Sequence, residues 1–105
     1  MRFRPYNKYH NHPTIISGIR FSSKREAARY QVLKLLERHK EIKNLKLQPI
    51  FKFPTGFSYR ADFSYFDNKG KFIVEDVKGI QTDVFKLKKK CLEYFYPAIE
   101  LILVQ

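Results

Sequence analysis

Two aspartates and a lysine have a spacing that suits hydrolysis of a phosphodiester bond. Asp62 lies in a segment of alternating polarity, and Asp76 and Lys78 follow fourteen and sixteen residues later. Metal-dependent cleavage needs carboxylate oxygens to hold Mg²⁺, a group near the attacking water, and positive charge where the transition state is negative. Because side chains alternate across a strand, Asp76 and Lys78 should share a face and Glu75 should point to the other. These residues are candidates for a metal-dependent nuclease site, although an aspartate and a lysine at this spacing on a strand also suit a weak surface ion pair.

Three strands must position these residues. Segment 57–65 alternates apolar and polar side chains, which predicts one strand with Asp62 on its polar face. Asp67-Asn-Lys-Gly70 predicts a hairpin turn into another strand over 71–78, which would bring the two faces together. Segment 45–53 alternates around Pro49, which predicts an edge strand or one with a bulge.

Two helices and a final strand complete the expected architecture. Ser23-Lys-Arg-Glu26 has the spacing of a capping box, and a helical apolar pattern follows to about Ile42. Thr82 is a candidate N-cap for a second helix, whose predicted apolar stripe is Val84, Leu87, Cys91, Leu92 and Phe95. Residues 98–104 predict a buried strand, parallel to the third by a βαβ crossover. The prediction is an α/β fold of order α-β-β-β-α-β, with a mixed four-stranded sheet flanked by two helices.

These motifs resemble those of the PD-(D/E)XK nuclease superfamily. The residues that carry the resemblance are Arg60-Ala-Asp62 and Glu75-Asp-Val-Lys78-Gly79, preceded by an acidic residue at a helix start in Ser23-Lys-Arg-Glu26-Ala27. The sequence is most similar to small phage-encoded Holliday-junction-resolvase-like nucleases, over residues 21–104. It departs from the pattern where Ala61 replaces the motif proline, and where Lys90-x-x-x-Tyr94 replaces the Gln-x-x-x-Tyr of RecB-like members.

The resemblance implies a restriction-endonuclease-like core and a role for each motif residue. Asp62 and Asp76 would bind Mg²⁺ or Mn²⁺ together with the carbonyl of Val77, and Lys78 would orient or polarise the attacking water. Glu26 would bind the metal or position a water. On position alone, Glu26 serves equally well as the N3 residue of the capping box.

The charge balance favours a nucleic-acid partner. The chain has 105 residues with 21 Lys and Arg against 10 Asp and Glu, and a formal net charge of +11. Its length fits one domain, which we place at 21–105 behind a basic arm at 1–20. The residues expected to bind DNA are Arg20, Lys24, Arg25, Lys86, Lys89 and Lys90. The lysines of the second helix would equally suit a solvated surface.

The remaining candidate ligands and segments predict little chemistry. His10 and His12 lack a further Cys or His ligand nearby, and Cys91, the single cysteine, belongs to an apolar stripe. The longest apolar stretch is too short to cross a bilayer. We expect a cytoplasmic protein, in the bacterial host of a phage or prophage.

Three functions fit these observations. The first is a Mg²⁺- or Mn²⁺-dependent DNA endonuclease, structure-selective in the manner of a junction resolvase, and two paired cuts in a four-way junction would imply a homodimer. The second is a non-catalytic nucleic-acid-binding module on a nuclease-like scaffold, for which the net charge alone suffices. The third is an accessory subunit of a phage recombination or packaging complex.

Overall fold

The chain begins, where the structure describes it, with a short hairpin. The computed structural model describes residues 13–77 and 81–104, in two compact units that divide between Val32 and Leu33. Strands β1 (Thr14–Ile16) and β2 (Ile19–Phe21) pair antiparallel. Ser17 and Gly18 have φ angles of 51° and 80°, the positive values that a two-residue hairpin turn requires. The predicted arm over 1–20 missed this hairpin, although a Ser-Gly pair between isoleucines is a turn signal.

Helix α1 (Lys24–Arg38) has local hydrogen-bonding signals at both ends. The Ser23 Oγ accepts a hydrogen bond from the Glu26 N–H at 3.1 Å, as the capping box predicted. At the other end Lys40 has a φ of 64°, and Glu41 N–H donates to the Leu36 carbonyl at 2.9 Å. This Schellman motif stops the helix, so the predicted end at Ile42 is wrong.

The main sheet has four strands in the order β3-β6-β7-β8. These strands are β3 (Ile42–Leu47), β6 (Phe63–Asp67), β7 (Phe72–Val77) and β8 (Glu100–Val104). β6 pairs antiparallel with both β3 and β7, while β8 lies parallel to β7. The mixed α/β sheet, with its final parallel strand, is confirmed.

Two predicted strands are each divided between this sheet and a second, two-stranded one. The second sheet pairs β4 (Ile50–Lys52) with β5 (Ser58–Arg60). The chain leaves the main sheet at Gln48, whose φ is 50°, and Pro49 follows, which cannot donate to a ladder. It rejoins the main sheet after Asp62. Asp62 therefore lies in a bend between β5 and β6, and its predicted place within a continuous strand is wrong.

Helix α2 (Asp83–Phe95) covers an aromatic core. Thr82 caps it as predicted, since its Oγ1 accepts from the Phe85 N–H at 3.1 Å. The buried cluster under the helix comprises Phe51, Phe53, Tyr59, Ala61, Val74, Phe85 and Leu92. Val84 and Leu87 are 63% and 57% exposed, so their predicted place in the buried stripe is wrong and Phe85 takes it.

No helix within residues 13–77 and 81–104 is long and apolar enough to cross a membrane.

Candidate active site

The two predicted acidic ligands lie near each other, where the chain enters β6 beside the end of β7. The antiparallel register pairs Phe63, the first residue of β6, with Glu75. Asp62 precedes β6 in a bend, and its carboxylate contacts the backbone of Val77, the neighbour of Asp76. Asp76 is 3% exposed and Asp62 is half-buried. Two carboxylates held near each other repel, which has a cost that apolar or amide side chains would not have.

Backbone hydrogen bonds hold Asp62 beside β7. Its N–H donates to the Glu75 carbonyl at 3.1 Å, and its own carbonyl accepts from the Gln48 N–H at 2.9 Å. Its carboxylate Oδ2 accepts from the Val77 N–H at 2.7 Å. The bend is thereby fastened to the end of the strand that carries Asp76.

Asp76 has a tyrosine as its partner inside the fold. The Tyr59 hydroxyl donates to Asp76 Oδ2, and both side chains are buried. Burial raises the pKa of the Tyr59 phenol far above its ordinary value, and the hydrogen bond to Asp76 and the negative charges of Asp76 and Asp62 raise that pKa further. Both carboxylates therefore lie close to one phenol, which stays protonated and acts as a donor at every physiological pH.

Glu75 belongs to the opposite face of β7, as predicted. The register places it on the side of Phe63, Tyr65 and Ile73. Its carboxylate accepts a hydrogen bond from the Tyr65 hydroxyl, and it is fully buried. Two neighbouring acids of one strand thus each have a tyrosine partner, on opposite faces of the sheet.

Two predicted site residues have a limited structural description. Lys78 lies outside the described residues, as do Gly79 and the arm histidines His10 and His12. Val77 is half-buried and uses its N–H to bind Asp62. A role for its carbonyl as a metal ligand stays a prediction.

Glu26 belongs to the first unit, at the start of α1, and the two aspartates belong to the second. It is 3% exposed, and its Oε1 accepts from the Ser22 hydroxyl at 2.6 Å. Its N–H is the donor in the cap with Ser23. The capping role predicted for this position is therefore confirmed for its backbone, and its participation in metal binding stays a prediction.

Asp62 and Asp76 carry oxygen donors of the type that Mg²⁺ binds, and metal binding by them stays a prediction. Among residues 13–77 and 81–104 no cluster of three or more His, Cys, Asp or Glu that could hold a metal is present. Mg²⁺ commonly binds through only one or two carboxylates, with water and substrate phosphate completing its octahedral shell. Two hard oxygen donors at one point of the sheet meet this requirement.

The basic residues predicted to contact DNA are in both units. Arg20, Lys24 and Arg25 are exposed at the end of the hairpin and the start of α1, and Lys86 and Lys90 are exposed on α2. Lys89 instead lies within 3.0 Å of Glu93, as an ion pair one helical turn apart. Lys86 and Lys90 are thus better placed than Lys89 to hold a phosphate.

Tyr59, the hydrogen-bond partner of Asp76, was not among the predicted site residues. It assigned Tyr59 to the apolar face of a strand, which is where the ring packs, at 6.1 Å from the Phe85 ring. A tyrosine on the buried face of a strand was itself a signal, because a buried tyrosine hydroxyl usually has a hydrogen-bond partner. Only the register of the two sheets identifies that partner as Asp76.

Comparison with known proteins identifies a family. A family profile described as a protein of unknown function, DUF1064, matches residues 6–105, and the chain belongs to this family. No curated protein matches the sequence, and no solved structure matches the fold.

Proposed function

We propose that this member of the DUF1064 family is a Mg²⁺- or Mn²⁺-dependent DNA endonuclease of the PD-(D/E)XK type, from a phage or prophage. The observation that carries the proposal is that Asp62 and Asp76 lie together at the end of β7, where the Asp62 carboxylate accepts from the Val77 N–H and the Asp76 carboxylate accepts from the Tyr59 hydroxyl. Two neighbouring carboxylates repel each other, and a divalent cation bound there would offset that repulsion. A domain that only bound nucleic acid would have no physical need for this pair.

The strand order supports the same proposal. The α-β-β-β-α-β order predicted for such a nuclease corresponds to α1, β3, β6, β7, α2 and β8, with the β4–β5 pair inserted between β3 and β6. Within that order Asp62 directly precedes β6, and Asp76 is the penultimate residue of β7. The Asp67–Gly70 turn joins β6 and β7 at one end of this central strand pair. The two acids lie near each other at the other end.

The proposed chemistry assigns a task to each residue. Asp62 and Asp76 hold the cation, which when bound supplies positive charge to the scissile phosphate and lowers the pKa of water. Lys78 orients the attacking water, and the net charge of +11 attracts the DNA backbone. The proposed substrate is branched DNA, for which a homodimer would place two such sites on the two strands to be cut.

Cleavage of defined DNA substrates tests this function. End-labelled four-way junction, flap, linear duplex and single-stranded DNA are incubated with Mg²⁺, Mn²⁺ or EDTA. We expect metal-dependent cutting by the wild-type chain, lost in Asp62→Asn and in Asp76→Asn. Asp67→Asn is the matched control, because it changes the same residue type at the turn, away from the paired acids, and it should cut normally.

Each result has a defined meaning for the proposal. Paired symmetrical nicks confined to the junction would support a resolvase, and cutting of every substrate would support a general endonuclease. Binding without cleavage under any metal condition would overturn the proposal in favour of a nucleic-acid-binding module. Co-purification of a stoichiometric protein partner, again without cleavage, would favour an accessory subunit.

A further inference from the structure

The carboxylates of Asp62 and Asp76 each receive a hydrogen bond from inside the fold. Asp62 Oδ2 accepts from the Val77 N–H at 2.7 Å, and Asp76 Oδ2 accepts from the Tyr59 hydroxyl. The first donor is a backbone N–H, which only a substitution of Val77 to proline would remove. The second donor is the side chain of Tyr59. The identity of residue 59 therefore influences the orientation of the Asp76 carboxylate.

Tyr59 is held firmly in its place. It is 3% exposed, and its ring packs 6.5 Å from that of Phe51 and 6.1 Å from that of Phe85. Because the ring is part of the aromatic core, packing fixes the position of its hydroxyl. The hydrogen bond therefore occupies a lone pair of Asp76 Oδ2 and fixes the rotation of that carboxylate.

A hydrogen bond to one oxygen of a carboxylate uses one of its lone pairs and fixes its rotation, which disfavours chelation of a cation through both oxygens. Mg²⁺ is small, demands octahedral geometry and is commonly bound by one oxygen from each carboxylate. Ca²⁺ takes six to eight oxygens, and readily binds both oxygens of one carboxylate. A site whose aspartates are both restricted in this way favours the smaller ion.

We propose that Tyr59 is a positioning residue that makes Asp76 a one-oxygen ligand and thereby sets the selectivity of the site for Mg²⁺ over Ca²⁺. The inference rests on the proposed function, since it concerns the same metal site. Hydrogen-bond partners of metal ligands commonly change metal affinity ten- to a hundredfold when removed. We expect Tyr59→Phe to reduce the ratio of Mg²⁺ to Ca²⁺ affinity about tenfold.

The chain provides a matched control in Tyr65. Its hydroxyl also donates to a buried acid of β7, but to Glu75 on the other face of the sheet. Tyr65→Phe and Tyr59→Phe each remove one hydroxyl from a buried tyrosine–carboxylate pair, so their effects on folding should be comparable. Only Tyr59→Phe should change the preference between cations.

Calorimetric titration of the full chain with Mg²⁺ alone and with Ca²⁺ alone tests the inference. Wild type, Tyr59→Phe, Tyr65→Phe and Asp76→Asn are compared, and circular dichroism verifies that each is folded. A variant that is unfolded in buffer is measured in trimethylamine N-oxide beside the wild type, since this osmolyte favours compact states. Support requires a reduced Mg²⁺ to Ca²⁺ ratio in Tyr59→Phe and a ratio within twofold of wild type in Tyr65→Phe.

Failure of the inference is distinguishable from failure of the proposed function. If Asp76→Asn abolishes Mg²⁺ binding while Tyr59→Phe retains the wild-type ratio, the positioning role is wrong and the metal site stands. If Tyr65→Phe lowers the ratio as much as Tyr59→Phe does, the effect is general destabilisation and the positioning role is again wrong. If the wild-type chain binds neither cation, or Asp76→Asn binds both normally, the proposed function fails and the inference fails with it.

Discussion

The carboxylate of Asp62 accepts a 2.7 Å hydrogen bond from the backbone N–H of Val77, the residue that follows Asp76. This hydrogen bond spans fifteen residues and joins the bend after β5 to the end of β7. It gives Asp62 a structural role in addition to the proposed role as a metal ligand. A substitution that removes the charge of Asp62 but keeps its hydrogen bond can be compared with one that removes both. The comparison distinguishes the structural role from the metal-binding role.

Asp62→Ala should destabilise the fold, whereas Asp62→Asn should not. Alanine leaves the Val77 N–H without this acceptor, at a cost of about 2 kcal/mol in the free energy of unfolding. The amide oxygen of asparagine can still accept the hydrogen bond, so its cost should be much smaller. Urea denaturation measures both values, and cleavage should be lost in both variants. Equal stability of the two variants would show that the Val77 hydrogen bond contributes little.

Asp76→Asn should retain or raise the stability of the metal-free chain. It removes one of two neighbouring negative charges, and its amide oxygen can still accept from the Tyr59 hydroxyl. In the wild type, Mg²⁺ at about ten times its Kd should add about 1.4 kcal/mol and raise Tm by several degrees. Thermal denaturation with and without Mg²⁺ measures both effects. The variant should show no such rise, and Asp67→Asn should behave as the wild type does.

Glu37 should make stability depend on pH in the acid range. Burial raises its pKa, but hydrogen bonds from Lys34 and from the Leu45 N–H, with the charge of Lys34, together lower the pKa below its ordinary value of 4.5. A group whose pKa is lower in the folded state stabilises the fold above its unfolded pKa, and that contribution is lost as the pH falls through the folded pKa.

Glu37→Gln should therefore cost about 0.5 kcal/mol at pH 7, a small value because solvent screens this pair, and progressively less as the pH falls below about 4. Urea denaturation at a series of pH values from about 7 to about 3 gives the difference between the two proteins. Lys34→Gln should reproduce part of the loss, because it removes one of the two partners. If the difference in unfolding free energy between wild type and Glu37→Gln were the same at both ends of this pH range, the lowered pKa of Glu37 would be wrong.

Lys86 and Lys90 should contribute to the salt dependence of DNA binding. For duplex DNA, the plot of log affinity against log salt concentration should flatten by about 0.9 for each phosphate that the protein no longer neutralises. Lys86→Gln and Lys90→Gln should each have this effect, measured by fluorescence anisotropy over a range of salt concentrations. Lys89→Gln is the comparison, since Lys89 already pairs with Glu93, and it should change the slope less. Unchanged slopes in all three variants would exclude α2 from the DNA surface.

The turn and the helix caps, which depend on local hydrogen bonds, could be predicted from the sequence. The Asp67–Gly70 turn forms as predicted, with Asp67 Oδ1 accepting from the N–H groups of Lys69 and Lys71, and Gly70 at a φ of 84°. Thr82 caps α2, and Ser23 caps α1. These features depend on residues within four positions of one another, so the side chain and its partner are both visible in a short segment.

Features that depend on residues distant in the sequence could not be predicted. Alternation over 45–53 and 57–65 shows that a chain is extended, but not that it changes from one sheet to another at Pro49 or Asp62. The buried face of α2 was misjudged for the same reason. Val84 and Phe85 are both apolar, and the surface against which the helix packs decides which is buried.

The sequence by itself determined the order of the main elements, the turn and the caps, and the face of β7 on which Asp76 lies, because these follow from short-range geometry and the two-residue period of a strand. Only the tertiary structure decided that Asp62 lies in a bend beside the end of β7 and that Tyr59 donates to Asp76. Those contacts, Asp62 with Val77 and Tyr59 with Asp76, join residues fifteen and seventeen positions apart. They exist because the pairing of β6 with β7 and the packing of the β4–β5 pair bring the segments together.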